Sequence, residues 1–363
     1  MSVDSNHAPQ ALKPDTAAIF ARAAAAERRA DKRLATAIDD FFLVEEDRLD
    51  DRTRAAIGAM LTEAVRAIAR EVAGHATRQV GTGSTKAVLA VDEPALLGRL
   101  LDAGVLRERD LMDELLGQVR LNLLGEALIA NRAPGSHPAL LPRLTGSSDG
   151  VVASAAMAYL LAENRRGSGA VGRPGELPAL LHRRLVWWIA AALRRAETGE
   201  AAEQVRIDRA LAAAAERSLR AHDDQDRLDV IALRLAVAID PHGEEVAELL
   251  IEAVEEGRGA LFVATLAHLL KIDFAEARAV VLDPDGDRLW LALRAQGSDR
   301  ATIARIGLAL SDADPRRDID AFADTLDAVA AVPIEAANDS LASLSLPADF
   351  RAAVRAFDRK ERR

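Results

Sequence analysis

The stretch Glu176–Ala221, ELPALLHRRLVWWIAAALRRAETGEAAEQVRIDRALAAAAERSLRA, decides how this 363-residue chain is to be read. It predicts two helices of about twenty residues each joined by a tight turn. Pro178 falls in the first turn of the first helix, where a missing N–H costs nothing. Thr198-Gly199 supplies the stop signal. The second helix carries Ile207, Leu211, Ala214 and Ser218 at three- and four-residue steps and ends at His222-Asp223-Asp224.

Steps of 3.6 residues sort the first helix into two adjoining apolar stripes: Leu177, Leu181, Leu185, Trp188 and Ala192, and His182, Val186, Ile189 and Leu193. Arg183, Arg184, Arg194 and Arg195 fall on the far side. So wide an apolar arc exceeds what one partner helix covers, which leaves two solutions. The hairpin packs onto its own chain, or a second copy closes a dimeric four-helix bundle. The glycine-rich, charged tether at 165–175 favours a projecting hairpin and therefore a homodimer. Its expected interface is Leu181, Leu185, Trp187, Trp188 and Ile189, with Ile207 and Leu211 from the second helix.

The remainder points the same way. Half the residues are hydrophobic, but alanine, leucine, arginine and glutamate dominate, and period-two β-branched runs are nearly absent, so the fold class is all-α. Two of only three tryptophans are the adjacent pair in the hairpin. A net charge of −10 argues against a general nucleic-acid binder, although Arg351–Arg363 is a locally basic end. Without cysteine there are no disulfides or thiolate metal sites, which fits a reducing cytosol. No apolar signal core opens the chain, and its longest apolar run, Leu185–Leu193, is far shorter than the roughly 20 residues of a membrane span. The expected location is the cytoplasm.

Along the chain, residues 1–14 read as a disordered tail and 15–164 as an N-terminal helical domain. A long helix after Asp50-Asp51 buries Ile57, Met60, Leu61, Val65, Ile68 and Val72 on one face. Within 137–164 a short helix, a polar turn with Ser148 and Asp149 as caps, and a longer apolar helix have the cadence of one HEAT-like unit. The hairpin occupies 176–222. Residues 226–363 form a C-terminal array of short helices, with Asp273, Asp299 and Asp349 expected as N-caps. The architecture expected is thus HEAT-like bodies flanking an inserted long hairpin.

The run from Leu261 to Leu310, LFVATLAHLLKIDFAEARAVVLDPDGDRLWLALRAQGSDRATIARIGLAL, together with LLHRRLVWWIAAALRRA and SSDGVVASAAMAYLLAE, resembles the alphaproteobacterial helical family catalogued as domain of unknown function 2336. The likeness extends from about Asp50 onward and rests on leucine, alanine and tryptophan patterns. What it implies is a helical fold and a bacterial origin, with no activity attached.

One residue carries a chemical hypothesis. LLHRRLVWWIAAAL resembles the start of the phosphoacceptor helix of some histidine kinases, where a His-Arg pair sits on a dimeric bundle and the imidazole meets a phosphoryl donor. Here Leu185 and Val186 replace the lysine and asparagine of that pattern, and no nucleotide-binding box follows. The alternative role is therefore phosphotransfer through His182 from response regulators; the leading one is a non-enzymatic interaction protein without cofactors, working through protein partners. Gly81-Thr82-Gly83-Ser84-Thr85-Lys86 has phosphate-loop composition but the wrong lysine spacing. Asp283, Asp285 and Asp287 alternate as in a calcium loop, but Gly286 comes too early and Arg294 stands where a glutamate is needed, so an interhelix turn with a capping aspartate is the reading.

Overall fold

Fifteen α-helices, three short 3-10 helices and no strand are found in the described part of the computed structural model, which covers residues 49–80, 91–132, 139–167, 176–195, 201–347, 349–351, 353, 354 and 357. In chain order they are α1 (Asp51–Val80), α2 (Glu93–Asp102), α3 (Arg109–Ala130), α4 (Leu140–Thr145), α5 (Gly150–Gly167), α6 (Ala179–Arg194) and α7 (Ala201–Ala221). Then follow α8 (Leu228–Ile239), α9 (Glu244–Glu255), α10 (Gly259–Leu270), α11 (Phe274–Val281), α12 (Asp287–Ala295), α13 (Arg300–Ala313), α14 (Ile319–Ala331) and α15 (Ile334–Leu341). The expected tail at 1–14, the start of the expected N-terminal domain at 15–48, the glycine loop at 81–86, most of the tether and the Thr198-Gly199 turn lie outside the described residues.

The hairpin is α6 and α7, as the sequence predicts, but it does not project. Both helices pack on α1, and α6 also meets α2. The stripe of α1 supplies the cover: Ile57, Met60, Val65, Ile68 and Val72 are buried, as are Ala64, Ala69 and Ala76, whose small side chains let the hairpin approach closely. Leu61 stays half-buried. Opposite them Leu181, Leu185, Val186, Ile189, Ile207, Leu211 and Ala214 are buried within the chain itself. Burying a leucine or isoleucine is worth about 1.5–3 kcal/mol, so this group satisfies the apolar arc without a second copy.

The structure places the residues of the expected interface as follows. Of its seven residues, Leu181, Leu185, Ile189, Ile207 and Leu211 are spent on α1 and on each other, Trp188 is half-buried, and only Trp187, 37% accessible, faces outward. The reason is geometric: a thirty-residue helix laid across the hairpin is long enough to cover both of its helices.

The hairpin is an insertion. α5 before it and α8 after it pack directly against each other, so the body continues across the insertion point. Their buried residues, Tyr159, Ala162, Leu228, Ile231, Ala232 and Leu235, belong to one core with Leu121, Leu124 and Leu128 of α3, Phe262 of α10, Trp290 of α12 and Ile303 of α13. Residues 51–363 accordingly form one compact unit, and the division expected between 15–164 and 226–363 does not divide the core.

α3 joins the two ends. Its N-terminal half buries Leu111, Leu115 and Val119, outside the large core, while its C-terminal half joins that core. At the crossover, Glu114 accepts from Arg278 of α11 at 2.7 and 3.2 Å and from Gln118 at 2.7 Å. Gly117 makes this approach possible, since a Cβ there would sit 2.6 Å from the Arg278 guanidinium. Burial pushes the Glu114 carboxyl up, but Arg278 and then Gln118 outweigh it and hold it below its ordinary value.

Side-chain caps open some of the helices. Asp149 accepts from Val151 N–H at 2.8 Å, and Asp299 from Thr302 N–H at 2.8 Å. Asp273 occupies the cap position without a side-chain bond. α4 begins at alanine, and its first amides are capped from elsewhere: Glu256 accepts from Ala139 N–H at 2.6 Å and Leu140 N–H at 2.8 Å. The turn at Asp283–Asp287 is an interhelix connection in which Gly286, at φ 72°, lies against the Trp290 ring and opens α12 without a side-chain cap.

Candidate functional site

His182 lies in the first turns of α6, and the fold brings to it a residue that no local pattern connects. His222, just past the end of α7, stacks on it with ring centroids 4.1 Å apart and planes 12° from parallel. The second helix of the hairpin runs back antiparallel to the first, so residues forty positions apart meet at its base.

The base is closed by Asp224. Its Oδ1 accepts from Ala179 N–H at 3.0 Å, capping α6 across the hairpin because Pro178 carries no side-chain acceptor. The same oxygen lies 3.2 Å from His222 Nε2 and 3.5 Å from Arg227. Arg227 also holds Asp229. Gln118 donates to the Glu176 carbonyl at 2.9 Å, and Arg184 pairs with Glu108 at 2.5 Å and Asp110 at 3.2 Å, so α3 grips the hairpin as well. Arg184, sorted by spacing onto a solvated side, is thus an anchor.

His182 itself is 2% accessible, and neither ring nitrogen has a hydrogen-bond partner. Burial, and then the neighbouring His222, pull its pKa from 6.5 down to about 4, with Asp224 opposing only in part. The ring is therefore neutral near pH 7. A phosphoryl donor needs in-line access to a ring nitrogen, and the solvent-facing imidazole required for phosphotransfer is not what the fold presents.

Elsewhere, charged side chains are matched to one another. A cleft of about 290 Å³ beside α3 is lined by Asp113, Gly117, Arg120, Arg278, Asp283 and Arg288. Within it Arg278 is paired to Glu114, and Arg288 to Asp283. On the other side of α3, a cleft of about 280 Å³ holds Glu126, Glu163 and Arg258, the last two ion-paired. Among the described residues no group of three histidine, aspartate or glutamate side chains is placed to hold a metal. No helix among them is long and apolar enough to cross a membrane.

The remaining surface feature of note is apolar. On α5, Val152, Ala156, Tyr159 and Ala162 are buried, while Val151, Met157 and Leu161 are 67%, 47% and 56% accessible. Exposed Ser154 and Ala158 stand between them. Part of this was legible: SSDGVVASAAMAYLLAE is apolar all round, and a helix that is apolar all round needs partners on every side.

Fold and site together define an all-α protein whose His182–His222 stack is buried at the base of the hairpin and whose α5 carries apolar side chains on its exposed side. A family model matches residues 150–338, more than half of the chain, and the protein belongs to that family, described as an uncharacterised protein conserved in bacteria (DUF2336). No curated protein and no solved structure matches the chain. The match begins at the first residue of α5 and takes in the hairpin and the array through most of α15.

Proposed function

We propose that this chain is a non-enzymatic adaptor of the bacterial cytoplasm that binds a protein partner across the outer face of α5. The observation that carries the proposal is the exposed stripe Val151, Met157 and Leu161 on a helix whose opposite side is firmly held in the core. Isolated apolar side chains on a surface mean little, but three on one helix separated only by serine and alanine give a second helix room to approach. Methionine adds adaptability at such a surface. The absence of cysteine fits a reducing compartment.

The test is comparative capture from the native bacterium with the full chain and a Met157→Glu/Leu161→Glu variant. Retention of a defined protein in near-equal amount by the wild type, and its loss with the variant at unchanged thermal midpoint, is the expected result. Equal capture by both, or capture of nothing by the wild type, would overturn the proposal. Phosphotransfer through His182 gains no support from a ring sealed against its neighbours.

A further inference from the structure

The pairing of charges found in the clefts stops at two places on the surface. The first is the outer side of the hairpin. On α6, Leu180, Arg183, Trp187, Ala191 and Arg194 are exposed at steps of three and four, opposite the stripes that pack inward. On α7, Arg206, Arg209 and Arg217 are exposed as well. Arg194 reaches across to Asp208 of α7 at 2.9 Å, so the two outer sides adjoin. Asp208 is spent on that pair and Glu216 on Arg220, at 3.7 Å. Arg183, Arg206, Arg209 and Arg217 are left with no carboxylate at ion-pair distance among the described residues.

The second place is the surface of α14 and α15. From Asp318 to Leu346 the chain carries six carboxylates and no basic residue. Asp327 is paired to Arg300 of α13, and Asp318 caps α14 by accepting from Asp320 and Ala321 N–H. Asp320, Asp324, Glu335 and Asp339 are exposed, with no basic side chain at ion-pair distance among the described residues. Ile319 and Ile334 stand exposed among them, as Leu180 and Trp187 do among the arginines.

Within one molecule the two faces do not meet: the hairpin packs on α1 and α2, whereas α14 packs on α12 and α13, and α15 on α12. Lipid or nucleic acid would take up the arginines and leave the carboxylates unmatched. A second copy matches both, with an apolar anchor on each side of the contact. We infer that copies of this chain associate head to tail, the outer side of one hairpin seated on α14 and α15 of the next copy. Such a contact is heterologous, so every pair keeps one free face of each kind and assemblies grow with concentration. Chains of net charge −10 repel at a distance, but at physiological salt the screening length is about 8 Å, so the charges inside the contact decide. The contact leaves the α5 stripe untouched, and the adaptor reading stands or falls on its own.

The test is light scattering of the full chain over a range of concentrations at low and high salt, with Arg206→Ala/Arg209→Ala and Asp324→Asn/Asp339→Asn beside the wild type. The wild type should gain mass with concentration at low salt and return toward one chain at high salt. Each variant should weaken association at least about tenfold, at unchanged circular dichroism and thermal midpoint. An equimolar mixture of the two variants should recover a mass of two chains and stop there, because each supplies the face that the other lacks. A wild type of one-chain mass at every concentration, association that either variant retains in full, or a mixture that stays at one-chain mass overturns the inference. So does a one-chain wild type that sediments with phosphatidylglycerol vesicles or binds duplex DNA through Arg206 and Arg209, which would give the arginines to that occupant.

Discussion

Replacing His182 by phenylalanine keeps a flat ring in the stack with His222 but removes two buried nitrogens that have no hydrogen-bond partner. A buried unpaired polar group costs about 1–3 kcal/mol, and fitting the slightly larger ring returns part of that, so His182→Phe should stabilise the fold by about 1 kcal/mol near neutral pH. The larger effect appears on acidification. The ring titrates at 6.5 in the unfolded chain and at about 4 in the fold. Above 6.5 neither state is protonated, and the group contributes no pH dependence. Between 6.5 and about 4 the unfolded chain takes up the proton first, and the wild type loses about 1.4 kcal/mol of stability per pH unit, about 3 kcal/mol in all. Below about 4 both states carry the proton and the loss is complete. The carboxyls held below their ordinary values, Glu114 and Asp240 among them, start from 4.5 and 3.8, so their contributions are lost at lower pH. Urea unfolding followed by the fluorescence of Trp187 and Trp188, on the same helix, reads this directly. At about pH 5 the variant should exceed the wild type by about 2 kcal/mol more than it does at about pH 7.5. A gap that does not change between the two pH values would mean the His182 ring is hydrated or hydrogen-bonded, and would reopen its surface to a phosphoryl donor.

Other substitutions test the packing. Gly307→Ala removes a glycine from the middle of α13, a change worth about 1 kcal/mol in helix propensity, yet the methyl would overlap the Phe322 ring, itself held against Trp290 at 4.6 Å. Overpacking costs about 1–3 kcal/mol, so the thermal midpoint should fall; a rise would show that Phe322 can move aside. Glu114→Gln leaves Arg278 buried beside a neutral amide and should lower stability by about 3–5 kcal/mol in urea, whereas a loss below about 1 kcal/mol would mean water already screens the pair. Leu185→Ala should cost about 2–5 kcal/mol in chain stability. Trp187→Glu, at the outward position, should change it by no more than about 0.5 kcal/mol; comparable losses for the two would show that α1 does not cover the hairpin as described.

The missed elements have physical explanations. α8 was not singled out within the array after the hairpin because LDVIALRLAVAI is apolar on nearly every side, its exposed Val237 included, so hydropathy does not mark the face that packs on α5 and α10. α15, of eight residues, is too short to show one. The partner of His182 was equally hidden, since a stack between residues 182 and 222 depends on how the second helix folds back along the first, and the cap of α6 comes from Asp224, beyond the whole hairpin.

The sequence by itself determined the helical class, the hairpin with its two stripes, the presence of an array of short helices after it, the caps Asp149 and Asp299, and the membership that follows from its leucine, alanine and tryptophan patterns. These are properties of local periodicity and backbone chemistry, which a linear string records. Only the tertiary structure decided that α1 covers Leu185 and Ile189, that His182 is sealed, and that Phe350 and Phe357 are exposed. Periodicity states that a face must be buried; it does not state by what, because the covering helix lies more than a hundred residues away and is selected by length and shape.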